Sequence, residues 1–285
     1  MHARVPASSA NLGPGFDTLG IALELWTEVT VTPSDRLHLT VTGEGSSFPL
    51  NSNHFAAKLA RQVLGHDRLR IDIRSEVPVA RGLGSSAALG VGIVAACGHP
   101  DPLSFIGLLE GHADNAAACV LGGFVTGAII DGRVVASRLP LDPALTFVVV
   151  IPERHLSTKD ARQALPDDVP LSDAVFNLSR MGALIAGFAD HRRLVRGAFD
   201  DRLHQAQRTP LFPESTQVLT ALVDAGALGA TWSGAGPTLL ATCHVDVASA
   251  VRDAGAAALL DAGVPGRSLV VAPDRVGLVL TRDHR

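Results

Sequence analysis

Apolar and polar positions alternate along residues 22–32 (ALELWTEVTVT), 37–43 and 69–77, the period-two pattern of half-buried strands. Asp35, Gly43 and Gly45 supply turn residues between them. Residues 51–65, NSNHFAAKLARQVLG, switch to helical spacing, with Asn51 or Asn53 as N-cap and Gly65 as the stop. The opening HARVPA predicts a short strand that enters a loop over residues 8–20, SSANLGPGFDTLG. After residues 69–77, a glycine-rich segment leads into a small-residue helix over 86–97. Asp131 and Gly132 punctuate two strand-like runs, predicting a hairpin, and residues 145–152 form a continuous apolar run that predicts a buried strand.

Beyond Ser157 the character changes. Amphipathic helices are expected at 160–164, 172–188, 194–199 and 213–225, followed by GATWSGAGPTLLATC, a helix near 247–261 and two strand-like runs, SLVVAP and GLVLTR. Strands and helices mix without strict alternation, which predicts an α+β fold over a doubly wound sheet. A boundary within 135–150 divides the chain into residues 1–140 and 141–285.

Composition narrows the class. With 285 residues, 47% hydrophobic and 18% charged, the chain is an ordinary globular protein able to bury a large core. A net charge of −4 gives no electrostatic footprint for nucleic acid or an anionic membrane. No apolar run reaches the roughly 20 residues of a membrane span, and no secretory signal opens the chain. Cys97, Cys119 and Cys243 lack metal or disulfide spacing and read as buried thiols, so a cytoplasmic protein is expected.

Five segments carry candidate chemistry. PVARGLGSSAALGVG (78–92) follows a strand and opens a helix, the arrangement in which backbone N–H groups and a helix dipole hold phosphate. It has no Walker lysine, and the only lysines, Lys58 and Lys159, follow no glycine. Ser85 or Ser86 either caps the helix or ligates magnesium. SSANLGPGFDTLG sets Asn11 and Asp17 beside glycines, as a site or as an Asx-turn pair. WSGAGPTLL admits close backbone approach or a tight hairpin. EGHADN (110–115) suits a hard cation or an ammonium through Glu110 and Asp114, or is a solvated helix end with His112 structural. STKDARQALP places Thr158 and Arg162 on one helical face, Arg162 being either a carboxylate ligand or a surface residue.

The order of these segments is more specific than any one of them. ANLGPGFD, PVARGLGSSAA and SGAGPT resemble the three motifs of the GHMP kinases, and the chain is similar to the homoserine kinase branch over nearly its full length. VPASSANLGPGFDTLGIALELWTEV, EGHADN, DAVFNLSR, DRLHQAQR and GALGATWSGAGPT have counterparts there in the same order.

The resemblance implies an N-terminal ribosomal-protein-S5-like domain and a C-terminal ferredoxin-like domain. It implies transfer of the ATP γ-phosphoryl group to the hydroxyl of L-homoserine, in a homodimer. Pro78, Val79, Ala80, Arg81, Gly82, Leu83, Gly84, Ser85, Ser86, Ala87 and Ala88 would form the ATP loop, with Asn53 facing the nucleoside. Ser86 and Glu110 would hold Mg2+. Asn11, Asp17 and Asp114 would surround the amino and hydroxyl end, and Arg162 and Arg208 would clamp the carboxylate beside Thr158. Backbone at Gly234 would close the floor, and Asp114, Asn115 and Arg162 would serve the transfer itself.

The chain departs from the family in three places. The segment before Glu110 is shorter, which would draw that carboxylate away from the metal. Ala113 replaces a proline, and Gln207 a tyrosine. Alternatives are another small-alcohol kinase of the superfamily, or a nucleotide-binding homologue without catalysis. A dinucleotide-binding fingerprint is missing from the first strand.

Overall fold

The computed structural model describes residues 1–282. β1 (His2–Asn11) and β2 (Gly15–Pro33) form a long antiparallel hairpin. β3 (His38–Gly43) is followed by α1 (Phe55–Leu64), which crosses to β4 (Leu69–Ser75). β4 lies parallel to β3 and antiparallel to the second half of β2. Three helices follow, α2 (Ser85–Ala96), α3 (Pro102–Glu110) and α4 (Asp114–Leu121). The predicted hairpin, β5 (Phe124–Ile130) and β6 (Arg133–Leu139), then joins the sheet through β5 on the first part of β2.

The second unit runs through β7 (Leu145–Pro152), α5 (Thr158–Gln163), α6 (Leu171–Ala189), α7 (Gln205–Arg208), α8 (Ser215–Asp224), β8 (Gly229–Trp232), β9 (Leu239–His244), α9 (Ala248–Asp261) and β10 (Gly266–Val271). Its four strands lie in the order β10-β7-β9-β8. A last strand, β11 (Val279–Thr281), returns to the first sheet and pairs with β1, giving that sheet seven strands. The architecture is the expected α+β. Among the described residues no helix is long and apolar enough to cross a membrane.

Packing explains the run at 145–152. Phe147, Val149 and Ile151 face a core shared with Leu19 and Ile21 of β2, Phe124 of β5 and Phe188 of α6. Val148 and Val150 face the opposite core, with Leu222 of α8 and Val251 of α9. With both faces covered, every β7 residue is buried and alternation disappears. The shared core joins the two units, and Phe188 sits 4.8 Å from Phe124 between ring centroids. Burying such rings stabilises by about 2 kcal/mol each.

Three local expectations change. The loop expected over 8–20 is mostly strand: only Leu12, Gly13 and Pro14 separate β1 from β2, and Ser8, Ser9 and Ala10 are buried. Small residues let the flanking helices lie close there and hide the alternation. The N-cap of α1 is His54, whose ring accepts from Ala56 N, and neither asparagine caps it. Within 194–199 only Arg196–Phe199 is helical, as a 3-10 turn and not an α-helix.

Candidate active site

Two adjoining cavities, of about 290 and 750 Å³, lie over the N-terminus of α2 and share Ala80, Ser85, Ser86 and Thr158. The segment before α2 begins with a buried Pro78 and ends at Gly84, the N-cap residue, held in the left-handed region (φ 64°) with no side-chain cap. The hydroxyls of Ser85 and Ser86 therefore leave the first N–H groups of α2 free, and both serines line the cavities. An uncapped, positively polarised helix start in a cavity is an anion site.

The loop's remaining residues divide by role. Gly82, Gly84 and Ala87 line the smaller cavity, Val79 the larger, and Ala80 both. Pro78, Arg81, Leu83 and Ala88, which the resemblance places in the ATP loop, line neither. Leu83 and Ala88 are fully buried core residues. Arg81 turns away, donating to Pro152 O (3.0 Å), Val79 O (3.2 Å) and bonding His155 Nδ1 (2.6 Å), so it fastens the loop to the end of β7. The third glycine segment closes on the loop: Ser233 Oγ donates to Gly82 O (2.6 Å), and Thr238 N to Arg81 O (3.1 Å).

Glu110, at the end of α3, reaches the site despite the shortened segment before it. It lines the smaller cavity together with Ser86, and burial raises its pKa. A desolvated carboxylate beside a hydroxyl and a phosphate-binding helix start fits a hard divalent cation. A second grouping, Asp17, His112 and Asp114, brings its ligand atoms within 4.8 Å of one another. Its acids are already matched by Arg162 and His112.

At the opposite end of the small cavity, Arg162 donates bidentately to Asp17, at 2.9 and 2.8 Å. Thr158 lines the cavity beside it, as the i,i+4 spacing on α5 predicts. Arg208 is 2% exposed; Nε donates to Ala161 O (3.2 Å) and Nη1 to Gly234 O (2.9 Å), while Nη2 has no protein acceptor among the described residues. Burial and the neighbouring Arg162 lower its pKa to about 10, which leaves it charged at neutral pH. Asn11 ties the ends together: its Nδ2 donates to Gly234 O (2.9 Å) and its Oδ1 accepts from Asp17 N (3.0 Å). The bond to Asp17 N spans six residues, so the pair is no Asx-turn; it closes the turn between β1 and β2 and shapes the cavity.

Asp114 is buried at the start of α4, where Oδ1 accepts from His112 Nδ1 (2.7 Å) and Asn115 N (2.7 Å). Burial alone would lower the His112 pKa, but the bond to Asp114 and the charges of Asp114, Glu110 and Asp17 raise it. His112, set aside as structural on sequence grounds, therefore lines the cavity as a favoured cation. Asn53 lies in the larger cavity, whose lining is largely apolar and includes Phe48, Phe55 and Leu89.

His204 was missed outright. It is fully buried, with Nε2 2.8 Å from Gly13 O and Nδ1 3.2 Å from Arg208 Nη1. A carbonyl only accepts and a guanidinium only donates, so Nε2 carries the proton and the ring is neutral. Burial lowers its pKa to about 4, with a further contribution from Arg208. Against an unfolded value near 6.5, this group contributes stability that is present above pH 6.5 and is lost as pH falls towards 4, about 3 kcal/mol in total. Urea unfolding across that window is expected to fall more steeply for the parent than for His204→Gln. Equal slopes would mean that the ring titrates normally in the folded state. Only the segment DRLHQAQR hinted at this residue, and it carried no spacing that distinguishes a buried histidine.

Comparison with known proteins follows the same lines. Residues 51–123 match the GHMP kinases N terminal domain, and residues 181–259 the GHMP kinases C terminal model. A homoserine kinase of Moorella thermoacetica is 43% identical over 256 residues, covering 85% of this chain and 86% of that one. One from Rhodococcus opacus is 41% identical over 270 residues, 84% and 86%. A solved homoserine kinase of Cytophaga hutchinsonii superposes with a TM-score of 0.85 at 28% identity, over 99% of this chain and 97% of that one.

Proposed function

The chain belongs to the homoserine kinase family of the GHMP kinases, and from that premise we propose how its residues divide the reaction. It is an ATP-dependent kinase that transfers the γ-phosphoryl group to the side-chain hydroxyl of L-homoserine, giving O-phospho-L-homoserine and ADP for threonine biosynthesis. The observation that carries the division of roles is one cavity with an uncapped helix start at one end and Asp17, Arg162 and Arg208 at the other.

ATP enters with its adenosine in the apolar cavity beside Asn53 and its phosphates against backbone N–H groups from Gly82 to Ala87. The N-terminus of α2 supplies positive potential where charge accumulates. Ser86 and Glu110 would hold Mg2+, which would neutralise charge on the transferring phosphates.

Homoserine carries both charges that the Asp17–Arg162 pair satisfies internally. Its ammonium replaces Arg162 at Asp17, and its carboxylate takes the released Arg162 together with the free Nη2 of Arg208. The partners of the pair, Arg162 and Asp17, are 40% and 33% exposed, so opening it costs little. An alcohol lacking either charge leaves one of the three groups unpaired, and this sets preference for a zwitterion. Gly234 closes the floor through the carbonyl that Asn11 and Arg208 share.

Asn115 and Asp114 orient the acceptor hydroxyl. An amide takes no proton, and Asp114 Oδ1 already accepts from His112 and Asn115. In this reading the hydroxyl proton leaves late, to a phosphate oxygen or water. We further infer that the units divide in the connection between β6 and β7 near residue 140, with β11 rejoining the first, and that the enzyme is a cytoplasmic homodimer.

ADP release from Mg-ATP, with L-homoserine, L-threonine, mevalonate and galactose offered separately, tests the reading. Turnover with L-homoserine alone is expected; equal turnover with galactose would remove the role given to Asp17 and the two arginines. Glu110 lines the same cavity as Ser86, which supports the catalytic reading over a non-catalytic homologue.

A further inference from the structure

Ser8 lies in β1, is fully buried and stands 107 positions from Asn115. Its hydroxyl donates to Asn115 Oδ1 at 2.8 Å, and its backbone N donates to Leu83 O at 3.2 Å. One residue therefore touches both the phosphate loop and the amide beside the acceptor. The turn at Gly84 presses against the same pair: a Cβ there would lie 2.0 Å from Ser8 Oγ and 3.0 Å from Asn115 Oδ1. The nearby thiol of Cys119 has its own acceptor, Pro6 O at 3.3 Å, so the Ser8 proton is free for Asn115.

The two ends of an amide are chemically opposite, and the surroundings of Asn115 select one sense. Asp114 Oδ1, an acceptor, lies 3.4 Å from Asn115 Nδ2. Turning the amide over would face its oxygen to that carboxylate, exchanging an attraction for a repulsion, whereas the Ser8 hydroxyl, able to donate or accept, holds the amide in place in the sense that Asp114 selects. Asn115 also lines the cavity, so its second Nδ2 hydrogen remains for a ligand.

We propose that Ser8 is a positioning residue for phosphoryl transfer, fixing the Asn115 amide with its carbonyl inward so that its NH2 donates to the acceptor hydroxyl oxygen. The proposal rests on the kinase reading above. The donated hydrogen bond holds the oxygen lone pair on line with the phosphorus, and the fixed sense excludes Asn115 as an acceptor from that hydroxyl. The bond from Ser8 to Leu83 keeps the amide in register with the loop that holds the phosphate donor.

The test is a double-mutant cycle of Ser8→Ala and Asn115→Ala, with Ser8→Cys as the conservative variant. Ser8→Ala is expected to lower kcat about tenfold, the loss of one buried orienting hydrogen bond, with KM for ATP and homoserine within about twofold. In the Asn115→Ala background the same change is expected to have no further effect on kcat, because Ser8 acts through Asn115. Ser8→Cys, with a weak donor, falls between parent and Ser8→Ala. An additive loss, a loss expressed in KM, or an unchanged kcat overturns the proposal. A purely structural role would lower the melting temperature in both backgrounds equally. Independently of turnover, the Asn115 side-chain amide resonance is expected to shift in Ser8→Ala, and an unmoved resonance overturns the proposal as well. An inactive parent with a shifted resonance would instead refute the kinase reading and keep the contact.

Discussion

Replacing Gly82 with alanine is expected to lower kcat/KM for ATP by at least about a thousandfold, roughly 4 kcal/mol of transition-state stabilisation. A Cβ at this position would lie 2.2 Å from Ser233 O and 2.9 Å from Gly236 N, both backbone atoms that no rotamer change can move. The residue also sits at φ +79°, where an L side chain costs about 1–2 kcal/mol. The loop and the 233–236 segment would have to separate, breaking the Ser233–Gly82 bond that closes the phosphate end. Gly132→Ala is the matched control. It has a similar φ of +73° in the β5–β6 turn, with nothing within 4 Å of the added carbon. That variant is expected to lose about 1 kcal/mol of stability and to keep its activity. Equal kinetic losses in both variants would show that strain alone, and not closure of the loop, governs turnover.

Glu110→Gln is expected to lower kcat about a thousandfold at saturating magnesium, while the ligand-free protein is no less stable than the parent. Glutamine keeps the volume but removes the charge that a hard cation requires. The stability half follows from the raised pKa, caused first by burial. A carboxyl whose folded pKa is raised contributes stability below its unfolded pKa, and loses it as pH rises through the folded pKa. At neutral pH the ionised side chain is therefore a cost to the ligand-free fold, and the amide relieves it. Kinetics across a magnesium titration together with urea unfolding give both halves. A variant with parental kcat would remove Glu110 from the metal site, and a destabilised variant with low kcat would assign it a packing role.

Both variants concern residues that were visible in the chain as motifs, and the order of those motifs indicated the family. Alternation likewise located β3 and β4, a turn pair the β5–β6 hairpin, a continuous apolar run β7 and, after the glycine segment, a small-residue run α2, all nearly to their ends. It failed at residues 8–20, where Ser, Ala and Gly replace the apolar half of the alternation, because strand positions packed under helices need small volume more than hydrophobicity. Asn51 and Asn53 are good N-caps by type, yet His54 occupies the cap, since tertiary packing decides where the first helical turn begins.

Within the site, the chain by itself determined what chemistry was available: glycine turns before a helix, two serines, an acidic pair and two arginines. Only the tertiary structure decided which of them meet. Asp17 and Arg162 are 145 positions apart, His204 and Gly13 are 191 apart, and Ser8 and Asn115 are 107 apart. It also decided which loop residues face the cavity, turning Arg81 towards β7 and sinking Leu83 and Ala88 into the core. The physical reason is the reach of each signal. Helix, strand and turn preferences act over a few neighbouring residues, so they can be read along the chain. The protonation of His204, the pairing of Asp17 and the sense of the Asn115 amide depend on burial and on partners delivered when the two sheets pack against their shared core.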